Sequence, residues 1–344
     1  MIKLYPPVWL YATMRGRDTA ASGALVVFWS SGFIGAELGT TYAPADTLLA
    51  WRYVVVGVLL VAALWWRGIR PDRATVQRQA GLGLLCQAGF LGLIVTGVGL
   101  GVPPGTAALM AAMQPLVVAS LAGPVLGELV SWRQWCALGA GLGGVALVVG
   151  GDLGAATAPL WAYALPVGGM LALSAGTLLG RRWRAPETLL ESLALQSLVA
   201  GVVFVTVATA RAELTPPMSV GFWSSVVWVV FLSSFGGYGA YLLVLRRSGA
   251  TRVSTLLYLT PPTTMLWAWA MFGDRVTWLG VLGLVVCAVS VTVVLRADTS
   301  LVSDAPPQVP KPGRVHLLLA DQRKRRAVRG RGGRDGDDRA GDGR

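Results

Sequence analysis

The sequence predicts an all-α polytopic membrane protein, with ten transmembrane helices arranged as two inverted five-helix repeats. Three observations carry that expectation. The chain has 344 residues, is 54% hydrophobic and only 13% charged, and has a mean hydropathy of +0.60, whereas soluble domains are roughly 25% charged. Its apolar runs are about 20 residues long, enough for one crossing of a ~30 Å hydrocarbon core. The stretch "LGELVSW" at residues 126–132 returns as "FGDRVTW" at 272–278, 146 residues later, and internal repeats of this kind set the architecture.

The runs fall near 22–40, 47–66, 80–101, 105–127, 133–151, 159–180, 188–210, 220–245, 250–273 and 276–296. They are continuously apolar, not alternating with period two as barrel strands do, and a helix satisfies its own backbone within lipid. Five runs make a first repeat, 22–151, and five a second, 159–296. An N-terminal segment, 1–21, precedes them and a tail, 297–344, follows. The repeat offset carries Pro115 onto Pro261, Glu128 onto Asp274 and Trp132 onto Trp278. Because five crossings is an odd number, the second copy enters the bilayer from the opposite side.

Basic residues in short loops orient the chain. With both termini in the cytoplasm, Lys3, Arg15, Arg17, Arg67, Arg70, Arg73, Arg78, Arg133, Arg181, Arg182, Arg184, Arg246, Arg247 and Arg252 lie inside, and only Arg52, Arg211 and Arg275 lie outside. This bias is the positive-inside pattern. No cleaved leader is expected, since Pro6 and Pro7 interrupt the first apolar stretch.

The repeated loop reads as helix-end chemistry. Ser131 and Gln134 have the spacing of a capping box. Glu128 stands at the favourable end of the following helix dipole, and Trp132 suits the headgroup boundary. Asp274, Thr277 and Trp278 repeat this, with Gly280 in place of the glutamine. The two acids are therefore read as structural, with ion or proton binding as the alternative. The prolines sit near the middle of their spans. Pro115 lacks the donor that would meet the carbonyl of Ala111, and Pro261 the donor for Leu257. Matching interruptions in two halves point to a substrate site, while a packing kink relieved by neighbouring helices is the other reading. Met113, Gln114, Tyr258 and Trp267 are the polar or aromatic neighbours.

Several function classes are disfavoured. Cys86, Cys136 and Cys287 lie in apolar runs without ligand spacing and read as buried free thiols, so neither a metal nor a disulfide framework is implied. His316 lies in the tail, which leaves no histidine partner in a span for a nucleophilic serine. No GxxxxGK[ST] phosphate loop is present, which speaks against ATP hydrolysis. The Gly/Pro/Arg-rich tail is too polar to order itself. It reads as a solvated segment beside anionic lipid, not as a nucleic-acid partner. Gly139 and Gly143 form a GxxxG spacing, one of many that 44 glycines produce by chance.

With these features in place, the sequence resembles the drug/metabolite transporter superfamily, in its EamA-like branch. The likeness rests on "FWSSGFIGAELG", "LLAWRYVVVGVLL", "GTAALMAAMQPLVVASLAGPVLGELVSWRQW" and "GATRVSTLLYLTPPTTMLWAWAMFGDRVTWLG", in that order and with that duplication. It implies a secondary transporter of the inner membrane that moves a small metabolite, such as an amino acid or a related amphipathic compound, often outward. It implies no enzyme activity and no cofactor. The partners are the small-molecule substrate and membrane lipid, with a proton gradient or the substrate's own gradient as driving force. A lipid or isoprenoid flippase, or a membrane enzyme, is the alternative. By position in the family pattern the cavity candidates are Trp29, Ser31, Gln87, Phe90, Gln114, Pro115, Ser174, Tyr238, Tyr241, Tyr258 and Pro261.

Two residues depart from that pattern: Glu37, where many relatives carry lysine, and Asp274, where glutamate is commoner. A helix rise of about 1.5 Å per residue puts Glu37 roughly 9 Å and Arg52 roughly 7.5 Å above the midplane. At that depth they form a candidate charge pair for coupling. An interfacial pair that snorkels to headgroups, or an Arg52–Asp46 pair, is the competing reading.

Overall fold

The computed structural model describes residues 8–126, 132–152, 158–183, 187–241, 243–244 and 256–303. The chain divides into two units, Met1–Ala297 and Asp298–Arg344; of the second, only the end of the last helix, to Ser303, is described. Among the described residues the secondary structure is helical throughout, without a strand.

In chain order the helices are α1 (Val8–Thr40), α2 (Ala45–Trp66), α3 (Arg73–Gly99), α4 (Pro104–Ala112) and α5 (Gln114–Leu126). Then come α6 (Trp132–Asp152), α7 (Ala164–Trp183), α8 (Leu189–Ala210), α9 (Val220–Tyr241), α10 (Thr260–Phe272) and α11 (Trp278–Ser303). Among the described residues, six helical stretches are long and apolar enough to cross a membrane: Ala20–Thr40, Ala45–Trp66, Arg73–Gly99, Leu160–Gly180, Leu189–Ala210 and Val220–Tyr241. Pro104–Val118, Trp135–Gly151 and Trp278–Ser290 are shorter apolar helices.

Local chemistry sets the helix ends. The Asp72 carboxylate accepts the Thr75 N–H at 2.7 Å and opens α3, and that bond holds the exposed carboxyl below its ordinary pKa. Thr188 and Glu191 form a reciprocal capping box on α8. Thr277 accepts the Gly280 N–H at 3.0 Å and opens α11, while Gly273, at φ 74°, closes α10 in the left-handed conformation. Glu128 and Ser131 lie outside the described residues. Trp132 and Trp278 start α6 and α11 with the same 78% exposure, as suits headgroup anchors.

The expected proline kinks take a different form. α4 stops at Ala112, the Met113 N–H bonds back to Met110, and α5 restarts at Gln114. Pro115 therefore occupies the first turn of a new helix, where no donor is required. Pro261 and Pro262 likewise stand in the first turn of α10, after a turn at Tyr258 and Leu259. They open a helix and do not bend one at its middle. The interruptions at Met113 and Leu259 are again 146 residues apart. So are the overlapping parts of two π-helical segments, Leu84–Gly89 in α3 and Val229–Gly237 in α9, a form that often marks functional regions.

Two pairs of equivalent helices pack antiparallel. Along α2 and α8, Asp46 pairs with Arg211, Tyr53 stacks on Phe204, and Gly57 faces Leu198. Along α6 and α11, the Cys287 thiol donates to the Gly141 carbonyl at 3.4 Å, Gly144 faces Gly283, and Gly151 lies against Thr277. Gly141 and Cys287 are themselves equivalent positions, 146 residues apart. Gly139 and Gly143, the GxxxG spacing, face open space. Of the three thiols, Cys287 is buried, Cys86 intermediate and Cys136 exposed. Cys136 thus departs from the buried reading, because its side of α6 turns outward among apolar groups.

The loop between α7 and α8 is tied to α3. Arg78 Nε donates to Glu187 Oε1 at 2.8 Å, with the Glu187 side chain only 2% exposed. Burial raises the Glu187 carboxyl, but hydrogen bonds and the Arg78 charge outweigh it, so the net pKa lies below the ordinary 4.5. A lowered carboxyl pKa stabilises the fold above the ordinary value, and that stabilisation is lost as pH falls through the folded-state value. We expect thermal stability of the purified protein to drop below about pH 4.5. We also expect Glu187→Gln to remove about 1–3 kcal/mol at pH 7 and to flatten the acid limb. An unchanged acid limb in the variant would assign the pH response elsewhere.

Candidate functional site

Among the described residues, four cavities with shared walls lie between α1, α2, α3, α4, α9 and α10, with α5, α7, α8 and α11 contributing to single walls. The first, with about 490 Å³ free of protein atoms, is bordered by Trp29, Gly32, Phe33, Arg52, Phe90, Leu91, Ile94, Val95, Ser233 and Tyr238. Arg52 and Tyr238 also border a second cavity of about 310 Å³ with Tyr53, Gln87, Ser197 and Ser234. Trp29, Phe33 and Phe90 border a third of about 410 Å³, with Gln114, Pro115, Tyr258 and Thr260. Ala112 and Tyr258 join that one to a fourth of about 240 Å³ beside Met113, Pro261 and Cys287. Apolar and aromatic walls with a few convergent polar groups are the usual make-up of a small-molecule site.

The interruptions of the helices position these walls. At the α4/α5 break, the Gln114 amide donates to Thr177 on α7 at 2.8 Å, and Thr177 donates to the Leu173 carbonyl at 2.8 Å. At the α10 start, Ser30 of α1 reaches the Thr260 carbonyl at 3.4 Å. The π segment of α3 turns Gln87 inward. There the Tyr53 hydroxyl donates to its amide oxygen and its amide nitrogen donates to the Tyr238 hydroxyl, the latter at 3.1 Å. The π segment of α9 presents Ser233, which accepts from Arg52 at 3.3 Å. Trp29 packs edge-on against Tyr238 at 5.6 Å and tilted against Tyr241 at 5.8 Å.

Of the residues singled out in sequence, Trp29, Gln87, Phe90, Gln114, Pro115, Tyr238, Tyr258 and Pro261 border these cavities. Met113 does so too, whereas Trp267 packs on Trp228 at 5.6 Å. Ser31 and Ser174 are buried and spend their hydroxyls on the carbonyls of Phe28 and Met170. Tyr241 stands behind Trp29. Glu37 and Arg52 form no ion pair among the described residues. Arg52 turns to Ser233, and Asp46 is held by Arg211 at 2.7 Å. Asp274 lies in the connection between α10 and α11, where burial raises its carboxyl pKa.

Sequence reading missed Phe33, Tyr53, Ser233 and Thr260. For Ser233 a signal existed, because the repeat offset carries Gln87 onto Ser233 and would have nominated it.

The model of the EamA-like transporter family matches residues 22–150 and 160–296. The chain is 26% identical over 272 residues to the uncharacterized inner membrane transporter YedA of Escherichia coli K12, covering 77% of this chain and 87% of that one. It is 29% identical over 259 residues to a probable terminal-alkyne amino-acid exporter of Streptantibioticus cattleyicolor, covering 72% and 83%. It is 20% identical over 290 residues to a probable amino-acid metabolite efflux pump of Salmonella typhimurium, covering 79% and 92%. A crystal structure of a protein 17% identical superposes with a TM-score of 0.57 over 83% of this chain and 99% of the other, a likeness of fold.

Proposed function

The chain belongs to the EamA-like transporter family, and from that membership we propose that it is a secondary transporter of the inner membrane. It crosses the bilayer ten times, as two inverted five-helix repeats with both termini in the cytoplasm. It exports a small amphipathic metabolite, an amino acid or a related compound, by alternating access. The observation that carries this reading is the run of cavities at the matching helix interruptions of Met113 and Leu259, where transporters built from inverted repeats hold substrate. The antiparallel packing of α2 on α8 and of α6 on α11 supports the inversion. The relatives named as amino-acid exporter and efflux pump support the cargo and the direction. Trp29, Gln87, Phe90, Gln114, Tyr238 and Tyr258 are the contact residues in this reading.

The test is efflux from cells and uptake into proteoliposomes across a panel of amino acids, aromatic acids and amines, with and without a pH gradient. Solute movement that needs the protein supports transport. Movement of labelled phospholipid without any solute flux would move the assignment to lipid flipping. Topology mapping that placed the termini on opposite sides would overturn the inverted arrangement.

Glu37 is the proposed coupling group. It is half-buried within the α1 span without an ion pair among the described residues, and an ionisable residue there is a functional candidate. We expect Glu37→Gln to abolish acceleration of transport by a proton gradient while exchange without a gradient continues. Retained proton-driven flux would remove Glu37 from the mechanism.

A further inference from the structure

Arg52 is 3% exposed, inside the apolar core, yet among the described residues it has no anionic partner. One terminal nitrogen donates to the neutral Ser233 hydroxyl at 3.3 Å. The guanidinium carbon lies 5.6 Å from the Tyr53 ring centroid. Its buried Nε–H has no acceptor among the described residues. A guanidinium offers five donors and keeps its charge in any protein environment, and a buried charge left unpaired is strongly disfavoured. Arg52 borders both the first and the second cavity, and none of the residues lining the four cavities is aspartate or glutamate. The walls beside it are Trp29, Phe33 and Phe90.

We propose that the cavity recognises its cargo as an organic monoanion, with a carboxylate received by Arg52 and an apolar or aromatic body lying against Trp29, Phe33 and Phe90. The inference rests on the transport reading and narrows its substrate class. One arginine matches one negative charge. A planar guanidinium matches a planar carboxylate in geometry. With no acid in the walls, nothing there favours a cation, so amines are poor cargo. An ammonium group on the ligand is not required. The unpaired charge is then a binding site held open, and the bound carboxylate supplies the missing partner.

The experiment uses the full-length protein in lipid nanodiscs, with tryptophan fluorescence reporting binding near Trp29. The probes are phenylacetate, its neutral counterpart phenylacetamide and the cation 2-phenylethylamine, all at pH 7. We expect phenylacetate to bind the wild type at least about tenfold more tightly than either of the others, as loss of a charge-assisted pair implies. Arg52→Gln should erase that preference without lowering the melting temperature of the ligand-free protein, and Arg52→Lys should keep part of it.

Equal binding of the acid and the amide by the wild type, or tighter binding of the amine, overturns the proposal whatever the variants do. A melting temperature lowered in Arg52→Gln with selectivity intact would make Arg52 a structural residue and would also overturn it. Phenylacetate that binds selectively but is never moved across a proteoliposome membrane, with no other solute moved either, would sink the transport reading and leave the anion site. Movement of the amine but not the acid would do the reverse.

Discussion

Ala112→Trp should abolish transport, lowering flux at least about a hundredfold, which corresponds to ~2.7 kcal/mol on the limiting barrier. Ala112 ends α4 beside the Met113 interruption and borders both the third and the fourth cavity. An indole at that place occupies the junction through which those cavities meet. The side chain is partly buried and borders both cavities, so the added indole is directed at the cavity space and the folding controls separate blockage from misfolding. Proteoliposome flux checks the result, with melting temperature and monodispersity as controls for folding. Val202→Trp is the matched control, because Val202 is 67% exposed on the outer face of α8, where lipid accommodates a larger group. Wild-type flux through Ala112→Trp would show that cargo takes another route.

The helical architecture was legible because run length and the 146-residue offset are properties of sequence alone. Geometry around the helix axis was not. Depth arithmetic places Glu37 and Arg52 at similar heights, but height is one coordinate. The azimuth of Arg52 on α2 turns it toward α9 and Ser233. The prolines show the same limit. A proline centred in an apolar run reads as a kink, yet the backbone can resolve the missing donor by ending one helix and starting another, as at Met113 and Leu259. The π segments in α3 and α9 had no sequence marker, since widening a helical turn changes the hydrogen-bond register and needs no particular residue type. Those segments carry Gln87 and Ser233 to the cavities; Gln87 was named from its place in the family pattern, and Ser233 was missed although the repeat offset reaches it. Trp29, Phe90 and Tyr238 were named from their places in the family pattern, and they border the first cavity.

Gly144→Ala should destabilise the protein while Gly139→Ala and Gly143→Ala stabilise it, although all three are single-methyl changes on one helix. A Cβ on Gly144 would stand 2.7 Å from Cys287 Sγ, 2.9 Å from the Gly283 carbonyl oxygen and 3.2 Å from the Cys287 backbone nitrogen. Two of those atoms are backbone of the facing helix, so no rotamer change relieves the contact and α6 and α11 must separate. Overpacking of this kind costs about 1–3 kcal/mol. A Cβ on Gly139 or Gly143 meets nothing within 4 Å, and replacing a mid-helix glycine by alanine in open space gains roughly 0.5–1 kcal/mol from reduced backbone freedom. Thermal unfolding in nanodiscs reads the sign of each change. The contrast matters for the architecture, because Gly144 lies one turn from the Gly141–Cys287 contact where the two repeats meet at equivalent positions. Small residues there let the equivalent helices approach backbone to backbone. A stabilising Gly144→Ala would mean that α6 and α11 do not touch in the membrane, and the antiparallel pairing of these two helices would lose its central contact.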